Sequence, residues 1–229
     1  MTATLSPTGA AAAGDPETGT AQAAGARRAA TATGAGRRYA WLLVLAGAVG
    51  LAAAVTLTLE KIRLLEDPGY IPSCNINPIV SCGSVMRTAQ ASAFGFPNSL
   101  LGVAGFAVVV TVGVAALGGA RLPRWFWLGL QAGMLFGIGF VHWLIFQTLY
   151  RIGAVCPYCI AVWTAMIPLF WYTTLHNLSP SRRVLPLPAS RRPGFAAVAR
   201  YHWVVPACWY LTIALLILNR FWYYWQTLL

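Results

Sequence analysis

The sequence predicts an all-α integral membrane protein with five transmembrane helices. Two features carry that prediction. Of the 229 residues, 58% are hydrophobic and only 9% are charged, against roughly 25% charged residues in ordinary soluble domains. Several uninterrupted apolar runs also reach the ~20 residues a helix needs to cross a bilayer. In a soluble chain the formal charge of +11 would suit a nucleic-acid binder. Here the arginines lie between the apolar runs, and no basic face alternates with exposed aromatics. They are therefore expected to set topology and touch anionic lipid, with no nucleic-acid partner.

Residues 1–38 are Ala, Gly and Thr with a few Pro. Such a segment buries too little surface to offset its ordering entropy and is expected to be a disordered cytoplasmic tail. The pairs Arg27-Arg28 and Arg37-Arg38 precede the first apolar run, so a cleaved signal competes with a retained helix. The run 39–59 is longer than a signal core and no small-residue cleavage site follows it, which favours a first span. Residues 39–229 then read as one transmembrane domain. Residues 60–97 form the longest polar excursion and contain Cys74 and Cys82, with 84–94 suited to a short helix on the membrane surface.

A second span covers 98–117, a tight basic turn follows, and a third span covers 125–150. Gly129, Gly133 and Gly137 recur every four residues on one face of the third span, a pattern that predicts close packing against another helix. The fourth span is 155–175, and a basic loop leads to the fifth, 201–224. With five spans, eleven of the sixteen Lys and Arg fall on the N-terminal side, leaving Lys61, Arg63, Arg87, Arg151 and Arg220 opposite. By the positive-inside rule the N-terminus is cytoplasmic. Cys74, Cys82, Cys156 and Cys159 then all face the oxidising side.

The chemistry centres on Cys156-Pro157-Tyr158-Cys159, where a loop meets an apolar helix. At a helix N-terminus the exposed N–H groups and the macrodipole favour a thiolate, the species that attacks disulfides and electrophilic rings. A loop pair of cysteines beside a fixed pair suits thiol–disulfide exchange, because the loop can meet a soluble partner and deliver electrons inward. A structural zinc site, purely structural disulfides and a metal-binding membrane assembly factor are the competing readings of the same four residues. A transporter is disfavoured by the scarcity of charges within the spans and the lack of internal repeats. Cys208, inside the fifth span, reads as a small apolar packing residue. His142, an ionisable group within the third span, either relays a proton to a bound ligand or bonds a neighbouring helix. Asn98 opens the second span, a position where Asn commonly caps.

Three motifs in register resemble the vitamin K epoxide reductase family, particularly its bacterial members. They are Cys74 and Cys82 in the first outward loop, Asn98-Ser99-x-x-Gly102 opening the second span, and Cys156-Pro157-Tyr158-Cys159 opening the fourth. The resemblance covers about residues 39–176. It implies a four-helix transmembrane bundle around a quinone of the menaquinone or ubiquinone type, with a fifth helix outside, in a bacterial inner membrane. It also implies a disulfide-forming oxidoreductase that reoxidises a thioredoxin-like or DsbA-like partner, here expected to be a separate protein. Reduction of vitamin K epoxide is the alternative physiological reaction.

By position, Cys74 and Cys82 would be the shuttle pair and Cys159 the thiol nearest the quinone, with Cys156 its resolving mate. Asn98 would donate a hydrogen bond to a quinone carbonyl. Where the animal enzymes carry a tyrosine as second donor this chain has Trp163, whose indole N–H can also donate. In the implied relay a partner dithiol opens Cys74–Cys82, one freed thiolate attacks Cys156, and Cys159 passes the electrons to the quinone. Spacing does not say which loop cysteine meets the partner and which meets Cys156.

Overall fold

The computed structural model describes residues 32–77, 79–179 and 192–226. In chain order these form strand β1 (Ala32–Gly34), helices α1 (Arg37–Glu66), α2 (Cys82–Met86) and α3 (Asn98–Leu117), strand β2 (Arg121–Pro123), and helices α4 (Arg124–Gln147), α5 (Pro157–Leu178), α6 (Arg192–Arg200), α7 (Val204–Arg220) and α8 (Trp222–Trp225). Among the described residues, four helices are long and apolar enough to cross a membrane: α1, α3, α5, and α4 together with the π-helical turn that extends it to Ile152. They pack as a bundle in which α1 lies against α3 and α5, and α4 lies against α5.

The α1–α3 crossing is tight because glycines form it. A methyl group at Gly50 would enter the Phe106 ring, and one at Gly113 would press on the Val44 backbone nitrogen. Without a hydrophobic drive between helices in lipid, such close backbone approach is the main source of packing energy. At the end of the bundle where α1 begins, β1 pairs antiparallel with β2, Thr33 facing Leu122. β1 and the first turn of α1 thus lie within the segment expected to be a tail. The rest of the expected disordered tail, residues 1–31, lies outside the described residues. The same end holds a buried polar group. Tyr39 donates to the Thr173 hydroxyl at 2.8 Å, and Asn177 donates to the Gln131 side chain and the Trp127 carbonyl.

The fifth helix differs from its expectation. Instead of one span over 201–224, α7 has 17 residues and ends where the chain turns at Phe221 into the short α8. At 1.5 Å per residue α7 is about 25 Å long, at the lower limit for a span. Polar tethers hold it to the bundle. Pro168 inside α5 has no N–H to give the Thr164 carbonyl, and the Tyr210 hydroxyl of α7 donates to that carbonyl at 2.7 Å. Arg220 Nε donates to the Leu149 carbonyl, and Trp209 Nε1 donates to His142 Nε2.

Candidate redox site

The far end of α1 and the loop after it build a buried sulfur cluster. Asn77 Oδ1 accepts from the Ile79 and Val80 N–H groups, which turns the loop back on itself. Val80 then makes a parallel bridge to Val155: Val155 N–H donates to the Ile79 carbonyl at 2.7 Å, and Ser81 N–H donates to the Val155 carbonyl at 3.0 Å. Gly153, in the left-handed region at φ 72°, closes the π turn after α4 and directs the chain into that bridge. Two residues beyond Val80 is Cys82, and one beyond Val155 is Cys156, so the bridge carries the two sulfurs to one spot. Ser81 caps α2 by accepting from Ser84 N–H. Asn75 Oδ1 accepts from Gly83 N–H at 2.9 Å, which ties the helix to the loop segment bearing Cys74.

Cys74 and Cys82 form a disulfide. The Cys82 and Cys156 sulfurs are 2.9 Å apart, and Cys74, Cys82 and Cys156 are all buried. Cys156 is the N-cap of α5, with Pro157 at the first helical position, where a missing N–H costs nothing. Ahead of the span, the Cys156 thiol is held below the ordinary cysteine value. Hydrogen bonding from the Cys159 thiol, aided by the Cys159 and Tyr158 N–H groups, outweighs the opposing effect of burial. Cys159, one turn into α5, is half-buried, packs against the sulfur cluster and also lines a cavity.

That cavity has a volume of about 520 Å³ and lies among α1, α3, α4 and α5. Its walls are mainly apolar, with Phe106, Phe140, Val162 and Met166 among them, and its polar side chains are few: Cys159, Trp125, Trp163, Asn98, Ser99 and Lys61. The size and the sparse polar lining fit an apolar, ring-shaped ligand with a few fixed oxygen contacts. Asn98 is the first residue of α3. Its Nδ2 donates to the Gln90 carbonyl at 2.7 Å and its Oδ1 accepts from Ala93 N–H, so the loop over the cavity is fastened to its side chain.

The model of the vitamin K epoxide reductase family matches residues 41–174. The chain belongs to that family. Members of the family are oxidoreductases, so with four membrane-length helices and a disulfide beside a CxxC this protein is a multi-pass membrane oxidoreductase that works through cysteine pairs. A search of curated proteins found no match to the chain.

Among the site residues expected from sequence, Cys74, Cys82, Cys156 and Cys159 converge, and Asn98 and Trp163 share the cavity with Cys159. His142 does not line it. Its Nδ1 bonds the Ile138 carbonyl of its own helix, and its Nε2 accepts from Trp209 Nε1 of α7. Cys208 is exposed on α7 rather than packed.

The glycine stripe of α4 packs as expected at Gly137, where an added Cβ would press on the Met166 side chain of α5, and differs at the other two positions. A Cβ at Gly129 or Gly133 would meet nothing within 4 Å, and both residues line the cavity, so they leave room rather than bring helices together. Sequence reasoning missed Lys61, counted there only for topology, and the Asn75 and Asn77 turns that aim Cys82. A lysine within reach of a membrane cavity was the available signal for the first.

Proposed function

We propose that this protein is a thiol:quinone oxidoreductase that forms disulfides outside the cytoplasm, with its cysteines on the extracytoplasmic face of a bacterial inner membrane. The observation that carries this reading is the 2.9 Å approach of Cys82 to Cys156, with Cys159 behind it on the cavity wall. This gives a continuous path from a loop disulfide to an apolar site. A soluble dithiol of the thioredoxin or DsbA type attacks Cys74, the loop cysteine not pressed against Cys156, and frees Cys82 as a thiolate. Cys82 attacks Cys156 in the Cys156–Cys159 disulfide and releases Cys159. The partner leaves oxidised, Cys74–Cys82 re-forms, and Cys156 and Cys159 hold the electron pair as thiols. That is the state with Cys74–Cys82 bonded and the CxxC reduced.

A quinone bound in the cavity supplies a two-electron acceptor. Asn98, which keeps one Nδ2 hydrogen beyond the one given to Gln90, and the Trp163 indole orient its ring oxygens. The lowered Cys156 thiol is the resolving nucleophile that closes on Cys159 as the electrons leave. Burial of three of the four sulfurs means the loop must open to meet its partner, which protects the electron pair from other oxidants.

A metal-binding reading draws on one observation: the Cys74, Cys82 and Cys156 sulfurs lie within 4.8 Å of one another. Two of them are bonded to each other, and a disulfide offers no thiolate ligands. The test is quinone reduction by purified protein in detergent with a reduced thioredoxin-like donor. Turnover is expected in the parent and is lost in Cys156→Ala and Cys159→Ala. Cys74→Ala or Cys82→Ala loses turnover with the protein donor and keeps it with a small dithiol. No turnover with any donor, together with stoichiometric bound zinc, would overturn the reading.

A further inference from the structure

Among the described residues, Lys61 is the one charged residue lining the cavity. It sits in the last turns of α1, half-buried, and its Nζ donates to the Met86 carbonyl at 2.6 Å. Met86 ends the helix that Cys82 begins, so a single lysine touches both the shuttle helix and the cavity. The neighbouring cation Arg87 is turned outward onto the Pro68 carbonyl and does not line the cavity. A lysine ammonium has three N–H donors, and Met86 occupies one. In an apolar cavity an uncommitted charged donor is worth most where negative charge develops.

We propose that Lys61 is a catalytic residue of this cavity, donating a proton to a ring oxygen of the bound quinone while the thiols deliver its electrons. This rests on the quinone reading above. The step balances as follows. Cys156 as thiolate and Cys159 as thiol supply two electrons and become a disulfide. The Cys159 thiol supplies one proton and the Lys61 ammonium the other, so an Nζ–H bond breaks as an O–H bond forms. Lys61, reaching the outer end of the bundle, recovers its proton from water, replacing the one Cys156 lost when it ionised.

The test compares two tail-less probes binding to the intact protein in detergent, by calorimetry and without turnover. One is 2-methyl-1,4-naphthoquinone, which is neutral. The other is 2-hydroxy-1,4-naphthoquinone in its ionised form, whose charge spreads onto the ring oxygens. Lys61→Met is expected to weaken the anion by about tenfold or more, the size of one charge-assisted hydrogen bond, while changing the neutral probe less than about twofold. Lys61→Arg is expected to retain the anion's affinity. If the Met variant does not insert, Lys61→Gln, which keeps a donor for the Met86 carbonyl, carries the same comparison.

Equal anion affinity with and without the charge would overturn the proposal. So would parallel loss of both probes, which marks Lys61 as a mere anchor for α2. Failure of the parent to bind the neutral probe would instead remove the quinone reading itself.

Discussion

Replacing Gly133 and Gly50 separately by alanine tests what glycines do in this bundle. At Gly133 an added methyl meets nothing within 4 Å, whereas at Gly50 it enters the Phe106 ring. Gly in a helix interior is less stable than Ala by about 0.5–1 kcal/mol, so Gly133→Ala should gain about that amount. Gly50→Ala gains the same backbone term but overpacks a buried crossing, which costs about 1–3 kcal/mol. The two variants should therefore separate by ~1–3 kcal/mol, readable by reversible unfolding in mixed detergent micelles. Gly133→Leu extends the comparison to function, because its side chain fills part of the cavity. It should raise the KM for the quinone by roughly tenfold or more, equivalent to about 1.4 kcal/mol, while exchange between a protein donor and Cys74–Cys82 continues. The reasoning is refuted if Gly133→Ala destabilises as much as Gly50→Ala, or if Gly133→Leu leaves the KM unchanged.

Other consequences are as direct. Tyr210→Phe leaves the Thr164 carbonyl without its donor beside Pro168 and should cost about 0.6–1.7 kcal/mol in unfolding, with α7 loosening first in hydrogen exchange. Because Cys159 is the main cause of the lowered Cys156 thiol, Cys159→Ala should move thiolate absorbance of Cys156 to higher pH. Below that midpoint the variant has less thiolate than the parent, and an unmoved titration would exclude the cause. Asn75→Ala removes the acceptor for Gly83 N–H and should slow exchange between the two cysteine pairs more than it lowers global stability, as seen by stopped-flow alkylation.

Much of this was legible in the chain. The apolar runs mark the spans because lipid leaves the backbone no other partner than its own helix. Their ends were less legible. α1 continues to Glu66 because Leu, Glu, Lys and Arg are all good helix formers, so the charges that end the hydrophobic run do not end the helix. The cysteine order pointed to exchange chemistry, yet the meeting of Cys82 with Cys156 depends on the Val80–Val155 bridge, which joins residues far apart in sequence and has no local pattern. Gly129 and Gly133 carry the pattern of a helix contact, but whether a partner helix or a cavity faces them is decided only by where α3 stands. The partner of His142, Trp209 on α7, lies 67 residues away, and no local pattern points to it.

The most direct test of the account is disulfide trapping between the two pairs. With Cys74 and Cys159 both replaced by Ser, the remaining Cys82 and Cys156 should close a disulfide under mild oxidation, identified by peptide mapping. With Cys82 and Cys159 replaced instead, Cys74 should join Cys156 far more slowly. Rapid Cys82–Cys156 closure is the predicted result. Preferential Cys74–Cys156 closure, or none at all in the folded protein, would contradict the path on which the function rests.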